Sequence, residues 1–125
     1  MINESFESGY IIKNNSIVIV SLYNNMYNEY IPQLKELISE FSIKNINSII
    51  LDLSKCLFIE KDIWDYFIEL KKELQNKNGD LVLINMNGAV KNDYNIMELS
   101  NYLESFNDIS SAFYNFGILT DIKSA

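Results

Sequence analysis

Apolar residues recur along this chain in two rhythms, one of strand length and one of helical period. Phe6 to Lys13, containing Tyr10, Ile11 and Ile12, reads as a first strand. Asn14-Asn15 follows as a tight turn, because asparagine tolerates positive φ. Ser16 to Tyr23 then carries Ile17, Val18, Ile19, Val20 and Leu22, a β-branched run that completes a hairpin. The polar stretch Asn24 to Asn28 leads into a helix. There Pro32 suits the first turn, and Leu34, Leu37, Ile38 and Phe41 recur at helical spacing to form one apolar face. Lys35, Glu36 and Glu40 lie on the other face.

Ser42 to Asn47 connects this helix to Ser48–Leu53, a strand apolar on both faces and so expected in the middle of a helix-covered sheet. After Ser54 to Asp62, a second helix places Ile63, Phe67, Leu70 and Leu74 inward, with Trp64 and Ile68 widening the stripe. It ends at residues 76–80, with Gly79 as the expected stop. Leu81 to Asn85 is another buried-type strand. Beyond it the pattern predicts a short helix over Gly88–Tyr94, a short edge strand over Tyr102–Phe106 and a last helix over Ser110–Phe116. The order β-β-α-β-α-β-α-β-α implies an α/β fold: a mixed sheet of four to five strands, parallel in its centre, with about four helices.

Composition narrows the function more than the fold. At 125 residues the chain is expected to form one domain, and 48% hydrophobic against 22% charged residues is a globular balance. The formal charge of −7, with no basic run, argues against nucleic acid and anionic lipid as partners. Histidine is absent, which removes the commonest general base and zinc ligand and forbids Ser-His-Asp or Cys-His arrangements within the chain. The single cysteine, Cys56, allows no internal disulfide and fits a reducing compartment. A cation beside it would be needed to activate the thiol; Lys55 is adjacent, but a half-buried, inert cysteine is the plainer reading. Asp52, Glu60, Asp80 and Asp93 show no ligand spacing, and the isolated Gly79 and Gly88 make no phosphate loop. Neither a catalytic site, a metal nor a cofactor is expected. Residues 1–5 lack the features of a signal peptide, and the most apolar stretch, Ile17 to Leu22, is too short to cross a bilayer. A cytoplasmic location is expected. The abundance of asparagine reads as compositional bias.

Three strings and their spacing carry a resemblance to a known family: Ser48-Ile49-Ile50-Leu51-Asp52-Leu53-Ser54, then Phe58-Ile59, then Asn78 to Asn85, with Gly88-Ala89-Val90-Lys91 behind. Together, from about Tyr10 to Phe116, the chain resembles the STAS (anti-sigma factor antagonist) family. The resemblance implies a site after the central strand, where members carry Asp-Ser-Ser/Thr-Gly at a helix start and a partner anti-sigma factor, often a serine kinase, docks and phosphorylates the first serine. Aligned on Phe58-Ile59, Glu60 stands on the aspartate, Lys61 on the phosphoacceptor, Asp62 on the second hydroxyl residue and Ile63 on the glycine. Lys61 has no hydroxyl, so this is a degenerate phosphosite. Asn24-Asn25-Met26-Tyr27 also replaces the Gly-Glu-Leu-Asp that many members carry before the first helix.

The partner-binding residues this implies are Phe58, Ile59, Glu60, Lys61, Asp62, Trp64 and Tyr66. Two roles compete for the acidic pair. Glu60 or Asp62 could imitate a permanent phosphate, but helix capping by Asp62, with Asp65 three residues on, is the reading favoured here. For Trp64, packing and exposure stand side by side, while Tyr66, off the apolar stripe, is expected on the surface as an anchor. The expected function is a non-catalytic, protein-binding regulatory module, not switchable by serine phosphorylation at the usual position, with a partner of the ATPase/kinase anti-sigma type. The alternative is an accessory or scaffold subunit of a transporter or stressosome-like complex, with self-association.

Overall fold

The hairpin turn forms as the sequence predicts: Asn14 and Asn15 both take positive φ (53° and 55°), and the N–H of Ser16 donates to the Lys13 carbonyl at 3.0 Å. The computed structural model describes residues 5–117. Met1 to Glu4, which carry most of the expectation of no signal peptide, lie outside the described residues. Strands β1 (Ser8–Lys13), β2 (Ile17–Leu22), β3 (Ser48–Asp52), β4 (Asp80–Ile84) and β5 (Glu104–Phe106) form one sheet in the order 1-2-3-4-5. β1 pairs antiparallel with β2, and the other three pairings are parallel. The strand apolar on both faces, β3, lies in the centre, as its pattern requires.

Alternation along β2 sorts the two faces of the sheet. Val18, Val20 and Leu22 join Ile49, Leu51, Leu81 and Leu83 in the larger core, covered by α1 (Ile31–Ile43), α2 (Lys61–Gln75) and α3 (Gly88–Ile96). Ile17, Ile50, Val82 and Ile84 face the other way, against Ala112 of α4 (Ile109–Asn115). Each such fully buried side chain stabilises the fold by roughly 1.5–3 kcal/mol. α4 packs over the β4–β5 side of that second face. On the β1–β2 side Ile11 remains 61% exposed.

Asparagine has a structural role that composition did not suggest. Among the described residues, the non-glycine positions at positive φ are Asn14, Asn15, Asn45, Asn78, Asn85 and Glu98. A short polar side chain makes the left-handed region less costly for asparagine than for most residues. Asn45 and Asn78 end α1 and α2 in the same way. Ile46 N–H reaches Phe41 O at 2.9 Å and Gly79 N–H reaches Leu74 O at 2.8 Å, each closing the loop around an asparagine. Gly79 is therefore a stop of a different kind from the one expected. Asn78 supplies the left-handed turn, whereas Gly79 is small because a Cβ there would lie 1.8 Å from the Asn47 carbonyl oxygen.

Candidate functional site

Two loops meet at the carboxyl ends of β2 and β3, the end of a parallel sheet where binding sites characteristically form. Met26 and Ile59 make a parallel bridge, with Met26 N–H donating to Phe58 O and Glu60 N–H to Met26 O, both at 2.9 Å. Their side chains are buried, which anchors both loops in the core. The side chain of Asn25 accepts from Leu57 N–H at 2.8 Å and Phe58 N–H at 3.2 Å. Glu60 reaches back across the same seam, its carboxylate accepting from Asn28 N–H at 2.6 Å. A third loop joins through Asn87, whose side chain donates to Cys56 O and accepts from Val90 N–H at 3.1 Å, capping α3.

With Ile59 turned inward, its neighbours face out. Leu57 is 66% exposed and Phe58 43%, and the Phe58 ring lies 5.9 Å from that of Tyr27. α2 then starts with Glu60 as its N-cap. Lys61 and Asp62 are exposed in its first turn. Lys61 Nζ binds the Asp65 carboxylate at 2.9 Å, and that hydrogen bond holds the ammonium above its usual pKa. The surface is an apolar step, Leu57-Phe58, beside a paired lysine at a helix start.

Several expectations for these residues change. Capping by Asp62 does not form: α2 has no side-chain cap, and Asp65 is occupied by Lys61. Asp62 stays in the first turn, where its charge suits the helix dipole. Trp64 and Tyr66 are both buried, at 1% and 9% exposure, so Tyr66 is not the surface anchor expected. The reason is that α2 is flanked on both sides. Trp64 packs beside Tyr94 of α3, ring centroids 6.3 Å apart, while Tyr66 lies toward α1, with Lys35 Nζ 5.6 Å from its ring centre. Burial and the nearby Glu73 and Glu69 push the Tyr66 hydroxyl pKa upward. Ile59, too, is core.

Cys56 is fully buried rather than half-buried, with its thiol 3.1 Å from Asn24 O and its pKa pushed by burial, and secondarily by Asp52, to about 12. Inertness is the outcome expected of such a thiol. Among the described residues no cluster of acidic or cysteine side chains could hold a metal ion, and no helix is long and apolar enough to cross a membrane.

The residues that reading by sequence missed are Leu57 and Asn25. The only available signal for Leu57 was a large apolar residue beside polar ones in a loop. Asn25 sat in the segment that departs from the family pattern, but its hydrogen bonds to a loop more than thirty residues away could not be read from it.

The fold and this site belong together. A model of the STAS domain matches residues 11–112, and the chain belongs to that family. Its fold is similar to that of a Thermotoga maritima protein assigned as an anti-sigma factor antagonist, with TM-score 0.78 and 22% identity over 86% of this chain and 92% of that one. It is also similar to SpoIIAA of Bacillus, an anti-sigma factor antagonist solved in unphosphorylated and phosphorylated forms. For the unphosphorylated form the TM-score is 0.75 and the identity 15%, over 91% of this chain and all of that one. The murine anion transporter Slc26a9 shares the fold over 79% of this chain but only 17% of its own, with TM-score 0.66 and 17% identity. No curated protein matches the sequence.

Proposed function

We propose that the chain is a non-catalytic, cytoplasmic protein-binding module of the anti-sigma factor antagonist kind, whose binding is not switched by serine phosphorylation. The observation that carries this reading is Lys61 at the first position of α2, ion-paired to Asp65 beside the exposed Leu57 and Phe58. An apolar step next to charge is the composition of a protein-binding hot spot with a polar rim. A side chain without a hydroxyl cannot accept a phosphoryl group by the family's route. The Glu60 carboxylate is engaged with Asn28, which weighs against its acting as a standing phosphate mimic.

The partner expected is an anti-sigma factor of the ATPase/kinase type. The test is capture of such a protein from the source cell, followed by titration with Leu57→Ala and Phe58→Ala. Each variant weakens binding about tenfold or more if the step is the anchor. Lys61→Ser then restores phosphorylation by that kinase. Unchanged affinity in both alanine variants would remove the docking surface from this reading. The second reading, an accessory or scaffold subunit, draws support from the transporter that shares the fold. It predicts co-purification with a membrane or multi-subunit assembly regardless of ATP or ADP.

A further inference from the structure

We propose that the outer edge of β1 pairs with the same edge of a second copy, joining two five-stranded sheets into one. β1 is the terminal strand on its side of the sheet, and no described strand pairs with its outer edge. The direction of its backbone groups is set by its bonds to β2. Tyr23 N–H donates to Glu7 O and Glu7 N–H to Asn24 Oδ1, so Glu7 points inward, and by alternation so do Gly9, Ile11 and Lys13. The N–H and C=O groups of Ser8, Tyr10 and Ile12 therefore point outward.

One antiparallel register uses all three residues. Centred on Tyr10, it pairs Tyr10 with Tyr10 and Ser8 with Ile12 in both directions, giving about six hydrogen bonds. In the same register Glu7 of each copy falls directly opposite Lys13 of the other, at the closer, non-hydrogen-bonded spacing that favours an ion pair. Shifting the register by two residues in either direction loses that charge match and leaves one of the three outward residues without a strand residue opposite it. Ile11, exposed at the β1 side of the face that α4 covers farther along, comes beside Gly9 of the second copy. The Tyr23 hydroxyl lies over Gly9, 2.7 Å from where a Cβ would be, and Tyr23 is itself 48% exposed. Between Ser8 and Ile12 the edge carries neither proline nor charge, and the one charged residue of β1, Lys13, is the residue that meets Glu7 of the second copy. The charge pattern and the single fully paired register make a second copy the occupant.

The test is sedimentation equilibrium of the full chain across the micromolar range at physiological salt, where the Debye length of about 8 Å limits repulsion between two copies of charge −7. The wild type sediments at twice its 14.5 kDa chain mass. Glu7→Lys and Lys13→Glu each raise the dimer dissociation constant about tenfold or more, because each sets two like-charged pairs opposite one another. Mixing the two variants restores a dimer, since both pairs are then opposite in sign. Recovery on mixing also shows that each variant is folded. A monomeric wild type overturns the proposal, as does a dimer indifferent to both substitutions. A chain that dimerises only after deletion of residues 118–125 would give the edge to that segment and overturn it equally.

Discussion

Asn25 holds Leu57 in place: its side-chain oxygen lies 2.8 Å from the Leu57 backbone nitrogen, across a gap of more than thirty residues in sequence. The same oxygen takes a second bond from Phe58. The two apolar side chains that face solvent are thus presented by a backbone that a single amide side chain aligns. Asn25→Ala should destabilise the fold by about 0.5–1.5 kcal/mol, since it removes two hydrogen bonds whose N–H groups, exposed in the loop, can turn to water instead. Denaturant midpoints measure that loss. Hydrogen exchange should quicken first at Leu57 and Phe58, and uniform quickening would show that the bonds are not local to this loop.

Trp64 belongs to the core between α2 and α3, so its truncation tests packing rather than binding. Trp64→Ala is expected to cost about 3–5 kcal/mol of stability. Phe58→Ala, at an exposed ring, should change stability by less than about 1 kcal/mol. Comparing their thermal unfolding separates a core residue from a surface one. Equal losses would contradict the burial described here.

The two glycines at helix boundaries behave oppositely. Gly79→Ala drives a methyl against the Asn47 carbonyl and should destabilise by about 1–3 kcal/mol or more. Gly88 opens α3 with nothing near its missing Cβ, and Gly88→Ala should be neutral or stabilise by up to about 1 kcal/mol. Urea midpoints for the pair give the signs.

Cys56 links stability to alkaline pH. Its folded-state pKa is raised from 9.0 to about 12, so the native state keeps a proton that the unfolded chain releases. The contribution is fully present below pH 9 and is lost as pH rises from there toward 12. Cys56→Ala should flatten the fall in stability across that window. In the native protein the thiol should resist alkylation at pH 8 and react only when urea unfolds the chain; rapid native labelling would contradict its burial.

Sequence pattern alone determined the elements and their order. The Asn14-Asn15 turn, the two-faced apolar run of β3, the helical stripes of α1 and α2 and the short final strand were all legible, because each depends on local propensity and on which side of an element meets water. Family strings located the loop before α2, and the missing hydroxyl of Lys61 was plain from its chemistry.

What tertiary structure decided was which residues of that site reach the surface. A helical stripe describes one buried face, but α2 has neighbours on both flanks, so its buried arc takes in Trp64 and Tyr66 as well. Asp65 could have completed a cap from its spacing; instead the exposed Lys61, one turn away, claims it. Asn25 and Leu57 meet only because β2 and β3 run side by side and end together. Local sequence sets the periodicity of an element, whereas exposure depends on how many neighbours surround it, and only the folded chain specifies those.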